Sequence, residues 1–98
     1  MNIQAMMKQA QKMQKDMLAA KEEIDSKVFT ATSSFVTVNV KGNKEVQDIK
    51  INMETLEKDD IEMLQDLITV AINNAMKDID KETEEKLGKY TQGMPGLF

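Results

Sequence analysis

The sequence predicts a single α+β domain in which a helix is followed by a three-stranded antiparallel sheet and a second helix. Three observations support this. Apolar residues recur at helical spacing over residues 2–25, alternate with a period of two within residues 27–52, and recur at helical spacing over residues 59–88. Helices placed around an antiparallel sheet in this order pack on one of its faces. With 98 residues, no Trp, one Tyr and three Phe, the core is small, so we expect a homodimer that shares its core.

The first helix carries an apolar stripe whose members alternate spacings of three and four, as in a heptad repeat. The stripe consists of Ile3, Met6, Ala10, Met13, Met17, Ala20 and Ile24. We predict that Ile3, Met6, Met13 and Met17 form a core or dimer seam. At 1.5 Å per residue this helix would be about 35 Å long, which is longer than one small sheet can cover. Part of the helix should therefore project from the domain or pair with a partner helix.

Lysines occupy the opposite side of the first helix. Lys8 and Lys15 fall at f positions of the heptad and Lys12 at a c position, away from the apolar stripe. Residues 1–21 hold four lysines and one aspartate, although the whole chain has a net charge of −4. A local basic element can bind phosphate on an acidic protein, because binding responds to the local field. A solvated helix face explains the same pattern. The absence of Arg disfavours base-specific DNA recognition.

The middle of the chain predicts three short strands. Val28–Thr32 is rich in β-branched residues, Phe35–Lys41 alternates strictly, and Val46–Asn52 again places isoleucines on one face. Ser33-Ser34 and Gly42-Asn43-Lys44 are the expected turns. Strands joined by such short turns form an antiparallel meander with one apolar face that needs a cover.

The second helix is predicted to begin with a capping box at Asp59 and Glu62 and to end at Gly88. Its sequence turns polar after Ile79, so its second half should project, and residues 89–98 should form a flexible tail. Across the whole chain, the core candidates are Val38, Val40, Ile49, Ile51, Leu56, Leu64, Ile68 and Ile72.

The composition disfavours catalysis and cofactor binding. Cys and His are both absent, which removes thiol nucleophiles, the usual general base near neutral pH and nearly all zinc or iron sites. The many carboxylates belong to no catalytic motif, and capping explains Asp59 and Asp60 without a metal. We therefore expect a protein that is not an enzyme and binds no cofactor or metal. No signal peptide or membrane-spanning stretch is recognisable, so we expect a cytoplasmic protein without membrane partners.

Five blocks of the sequence resemble the YbaB/EbfC family in family order. The stretch from Met7 to Gln14 resembles the family's opening helix. Val36–Gly42 with Glu45-Val46 resembles its central hairpin, and Ile51–Leu56 resembles the segment that leaves its last strand. Asp60–Ile68 with Ala71–Ala75 resembles the start of its last helix, and Gly93-Met94-Pro95-Gly96 its tail. Each block alone is weak, but together they are specific, and they are spread over nearly the whole chain.

This resemblance implies a nucleoid-associated protein that binds double-stranded DNA as a homodimer, with its helices projecting as arms around a gap. It also implies a role in gene regulation, nucleoid organisation or DNA repair, with recombination or replication proteins as possible partners. The candidate DNA contacts are Gln4 and Gln11 on the same side of the first helix, Lys86 and Lys89 near the end of the last helix and, carried over from the family's first helix, Lys8, Lys12 and Lys15. They would hold phosphates, which position a duplex without reading its sequence.

The alternative is a protein–protein adaptor that uses the heptad-patterned first helix to bind a partner helix, without DNA. The acidic net charge favours the adaptor, whereas the basic first helix and the family resemblance favour DNA. DNA binding should collapse with salt and with acidic substitutions at Lys8, Lys12 and Lys15. Adaptor binding should tolerate salt and fail when Met13 or Met17 becomes polar.

Overall fold

The computed structural model describes residues 2–91 and has the predicted order of elements. Helix α1 spans Ile3–Ser26, strands β1, β2 and β3 span Val28–Ser33, Val36–Lys41 and Val46–Ile51, and helix α2 spans Asp60–Thr91. The fold is therefore α+β, as the sequence predicts. The molecule is elongated, with extents of 72 × 20 × 14 Å, because both helices are far longer than the strands.

The sheet is an antiparallel meander in the order β1-β2-β3. In register, Ala31 and Ile49 lie on either side of Val38, so all three side chains point to the same face. The first turn lies at Ser34-Phe35, one residue later than predicted, and Ser34 adopts a φ of 53° there. The second turn follows Gly42-Asn43-Lys44 as predicted, with a φ of 72° at Lys44.

The core lies between the sheet and α2, which packs on β1 and β2. The buried residues are Ile24, Phe29, Ala31, Val36, Val38, Val40, Ala71, Ala75, Ile79 and Leu87. This confirms Val38 and Val40 as core residues, while Leu64, Ile68 and Ile72 are half-buried against that core.

Three core predictions are wrong. Ile49, Ile51 and Leu56 are exposed by 40%, 38% and 43%. The two isoleucines belong to the apolar face of the sheet, but they lie on β3, a strand with all six residues exposed. Alternation identifies the face of a strand, whereas burial depends on whether another element reaches that strand.

Helix α2 does not end at Gly88 but continues to Thr91. Residues 89–91 are therefore helical, and the rest of the predicted tail, residues 92–98 with the Gly93–Gly96 motif, lies outside the described residues. The helix begins at Asp60, and the backbone N–H of Glu57 donates a 3.0 Å hydrogen bond to the Asp60 carboxylate.

The C-terminal end of α1 is held against the β2–β3 turn. The N–H of Gly42 donates to the carbonyl of Lys27 at 2.9 Å, and that of Asn43 donates to the carbonyl of Asp25 at 3.3 Å. A side chain at Gly42 would collide with the Ile24 carbonyl, because a Cβ built there lies 1.8 Å from its oxygen. The turn therefore fixes the point from which α1 leaves the domain.

Candidate nucleic-acid interface

The N-terminal half of α1 is an arm that packs on no other described part of the chain. Every residue from Asn2 to Asp16 is exposed. Local sequence accounts for its helical state: the Asn2 side chain caps the helix by accepting a 3.3 Å hydrogen bond from the Ala5 N–H, and good helix formers follow. We call residues 2–16 the arm.

The candidate DNA contacts on the arm share one face. At 3.6 residues per turn, Gln4, Lys8, Gln11, Lys12 and Lys15 fall within an arc of roughly 100°. All five side chains belong to exposed residues. Lys8 and Lys15 are separated by about 10 Å along the helix axis. The structure thus brings these five residues onto one continuous surface.

The three lysines of the arm lack the ion pairs that several lysines of the domain form. Lys21 pairs with Asp25 at 2.9 Å, Lys27 with Glu82 at 2.6 Å and Lys44 with Asp80 at 3.0 Å. Within residues 2–91, Lys8, Lys12 and Lys15 form no ion pair, although the third lies beside Asp16 in the sequence. Unpaired ammonium groups can bind phosphate without first breaking a bond inside the protein.

The two remaining candidates lie at the other end of the chain, near the end of α2. Lys86 Nζ is 3.9 Å from the Glu82 carboxylate, and Lys89 Nζ lies 5.0 Å from the centre of the Tyr90 ring. Both therefore have partners inside the protein. Phosphate would compete with Glu82 for Lys86, so these two lysines are weaker candidates than those of the arm.

The apolar stripe of α1 divides into two parts. Met17 is half-buried against the core, close to where α1 packs on α2. Ile3, Met6 and Met13 are exposed by 69%, 57% and 47%. The predicted seam is thus core at Met17, and its other three members present an uncovered stripe opposite the lysines.

Two residues that hold the arm in place were not singled out from the sequence. Gly42 allows the close approach of α1, and Glu82 ties the start of β1 to α2 through Lys27. The Gly-Asn-Lys turn signal points to the glycine but not to its contact with α1. The Glu82 pairing spans 55 residues of chain, so no local pattern reveals it.

A groove of about 380 Å³ lies between α1, the β2–β3 turn and α2. The four charged residues that line it form the pairs Lys21–Asp25 and Lys44–Asp80, so the groove offers no unpaired charge to a ligand. Within the described residues, no group of three or more acidic side chains is arranged to hold a metal ion. Neither of the two helices, over that same range, is long and apolar enough to cross a membrane.

Comparisons with known proteins place these features in a family. The model of the YbaB/EbfC DNA-binding family matches residues 1–94. A nucleoid-associated protein of Enterococcus faecalis is 47% identical, with 98% of this chain and 94% of that protein covered. A nucleoid-associated protein of Ligilactobacillus salivarius is 46% identical, with 99% of this chain and 95% of that protein covered. The crystal structure of an uncharacterized Helicobacter pylori protein has the same fold, with a TM-score of 0.70 at 22% identity, covering 87% of this chain and 91% of that one. The chain belongs to the YbaB/EbfC DNA-binding family.

Proposed function

We propose that this chain binds duplex DNA as a homodimer, mainly through phosphate contacts made by the arm. The observation that supports this best is that Lys8, Lys12 and Lys15 share one exposed face and lack intramolecular partners among the described residues. Gln4 and Gln11 lie on the same face and can donate hydrogen bonds to phosphate or base edges. Because Arg is absent, the binding tolerates many DNA sequences.

The relatives are named nucleoid-associated proteins, which supports a place in the nucleoid for this chain too. Charge-driven binding of this kind suits nucleoid organisation, and a dimer with two arms could hold duplex DNA between them. Gene regulation and DNA repair are further roles, with recombination or replication proteins as partners. The protein acts as a binding protein rather than an enzyme, since its family is defined by DNA binding.

The experiment is a titration of a labelled duplex of about 30 base pairs with the protein at several salt concentrations, read by fluorescence anisotropy. We expect the logarithm of the association constant to fall linearly with the logarithm of salt concentration, with a slope of about −3 to −6. Such a slope corresponds to contacts from the lysines of two arms. Absence of binding at about 50 mM salt would contradict the proposal.

A matched pair of variants assigns the binding to the arm. Replacing Lys8, Lys12 and Lys15 with Glu should weaken binding at low salt by about 100-fold or more and flatten the salt dependence. Replacing Lys58, Lys77 and Lys81 with Glu changes the net charge equally, away from the arm. We expect the second variant to retain most of its affinity. Equal losses in both would show that net charge, and not the arm, governs binding.

A second candidate function is supported by the uncovered stripe of Ile3, Met6 and Met13. Three large apolar side chains at heptad spacing can pack against a partner helix, which would make the protein an adaptor. Binding of that kind would persist at high salt and would be lost when Met13 becomes polar. The salt titration separates the two functions.

A further inference from the structure

The arm carries three exposed methionines. Met6, Met7 and Met13 are exposed by 57%, 56% and 47%, so their thioether groups are accessible to solutes in water. The chain has no Cys, His or Trp, so its methionines are the side chains that peroxides oxidise most readily. Met17, the next methionine of α1, is half-buried against the core. Oxidation of α1 should therefore begin on the arm.

A peroxide converts a methionine thioether into a sulfoxide. The sulfur lone pair attacks one oxygen of hydrogen peroxide, the O–O bond breaks, and the leaving hydroxide takes the proton of the transferred hydroxyl to become water. Sulfur is oxidised by two electrons and the peroxide is reduced by two. The side chain stays uncharged, but it changes from an apolar group to a polar one. Methionine sulfoxide reductases reverse the step by removing the oxygen as water while two thiols are oxidised to a disulfide.

The helical state of the arm depends on local interactions. The arm packs on no other described part of the chain, and no ion pair joins side chains within it. The Asn2 cap, intrinsic propensity and contacts between successive turns are what stabilise it. Methionine is a good helix former. Met7 and Met13 each lie four residues from another apolar side chain, Ile3 and Met17, and such pairs stabilise a helix.

Sulfoxides weaken each of these local contributions. A sulfoxide oxygen is a strong acceptor that competes for backbone N–H groups, as the short polar side chains of poor helix formers do. It also favours contact with water over contact with an apolar neighbour. Because the arm lacks tertiary packing, no other contact compensates for the loss, and its helix should unwind.

The proposed DNA contacts require that helix. Lys8, Lys12 and Lys15 share a face because a helix brings residues three and four positions apart onto one side. In an unwound arm the same ammonium groups have no fixed arrangement. DNA binding would then have to order them, which lowers the affinity although no charge has been lost.

We propose that peroxides oxidise Met6, Met7 and Met13 to sulfoxides, that the oxidised arm loses its helix, and that DNA affinity falls as a result. The three methionines form a reversible redox switch, in which a local chemical change controls a distant contact. The inference deepens the proposed function, because its last step rests on the arm as the DNA contact. Its first two steps, oxidation and unwinding, do not involve DNA.

The test treats the protein with hydrogen peroxide and follows it by peptide mass spectrometry and circular dichroism. We expect one oxygen atom to be added to each arm methionine before Met17 and Met76, which are half-buried against the core. The two helices comprise 24 and 32 residues, so unwinding of the arm should remove up to roughly a quarter of the helical ellipticity.

The anisotropy titration is then repeated with the oxidised protein. Its DNA affinity at low salt should be about tenfold lower than that of the untreated protein. Methionine sulfoxide reductases supplied with a dithiol should restore both the ellipticity and the affinity.

A matched variant combines Met6→Leu, Met7→Leu and Met13→Leu. Leucine is an equally good helix former without a sulfur atom. The variant retains Met53 and Met63, which are also exposed but lie outside the arm. It should bind DNA as the untreated wild type does, and peroxide should change neither its ellipticity nor its affinity. Equal losses in this variant would assign the effect to other methionines and overturn the inference.

Arm sulfoxides that leave the ellipticity unchanged would overturn the inference as well. That outcome is observed without DNA. Absence of binding by the untreated protein would instead contradict the proposed function, so the two failures are distinguishable.

Discussion

Gly42 lies where the β2–β3 turn meets the last turn of α1. A Cβ at this position would come within 1.8 Å of the Ile24 carbonyl oxygen and 2.6 Å of its carbonyl carbon. Both are backbone atoms, so a side-chain rotation cannot relieve the collision. The hydrogen bond from Gly42 N–H to the Lys27 carbonyl depends on the same close approach.

We therefore expect Gly42→Ala to lower the free energy of unfolding by about 2–4 kcal/mol. The control is Gly88→Ala, because a Cβ at Gly88, inside α2, would meet nothing within 4 Å. There the substitution should stabilise the protein by up to about 1 kcal/mol, since Ala is the better helix former. Urea denaturation measures both. Similar effects at the two glycines would show that the approach of α1 to the turn is not required.

Predictions from the sequence succeed or fail at single residues according to the range of the interaction. The alternation of β2 identified Val38 and Val40 as core, because the strand itself sets which side chains share a face. The contact of Gly42 with Ile24 joins residues 18 positions apart, and turn chemistry gives no sign of it. The pattern identified the lysines of the arm as candidates, but only the structure shows that they form no ion pair within residues 2–91.

Helix α1 is one element with two environments. Ile24 and Leu87 are each 2% exposed where α1 and α2 meet, and Met17, Ala20 and Tyr90 pack around them. Further toward its N-terminus the helix packs against nothing else described and becomes the arm. The packed half thus supports the free half as one continuous helix.

Leu87→Ala should test this support. Removing a buried leucine side chain leaves a cavity, so we expect a loss of about 2–4 kcal/mol in the free energy of unfolding. Leu18 is 55% exposed on α1, and Leu18→Ala should cost less than about 1 kcal/mol. Thermal and urea unfolding report both values. A small effect at Leu87 would mean that the end of α2 contributes little to holding α1.

All five elements were predicted in order because each has a local periodicity, but their ends depend on tertiary packing. Gly88 resembles a helix stop, yet α2 continues because Leu87 and Tyr90 on either side pack in the core. The isoleucines of β3 were assigned to the core by the same alternation that succeeded for β2. They are exposed because α2 packs on β1 and β2, and the sequence of β3 alone does not determine where α2 packs.

Over the whole molecule, the charge is distributed unevenly along the chain. Residues 1–21 carry a net positive charge, whereas the rest of the chain carries the excess of acid that gives the overall −4. Exposed apolar side chains lie along β3 and the start of α2, and the arm carries three lysines that form no ion pair within residues 2–91. The DNA contact proposed for the arm is electrostatic and should be strongly sensitive to salt, whereas contacts made by the apolar side chains should be largely insensitive to it.

Removal of residues 1–15 tests whether the arm supplies the DNA contact. Those of the removed residues that the structure describes are all exposed, so the shortened chain should keep its fold, with a change in Tm of only a few degrees. It should also keep its dimer, since the exposed apolar side chains along β3 and the start of α2 remain, and should lose DNA binding because Lys8, Lys12 and Lys15 are gone. Calorimetry, sedimentation equilibrium and anisotropy measure the three properties on one variant. If the shortened chain is folded but monomeric, the dimer contact lies at the seam of Ile3, Met6 and Met13. If it still binds DNA, the phosphate contacts lie at the end of α2, at Lys86 and Lys89.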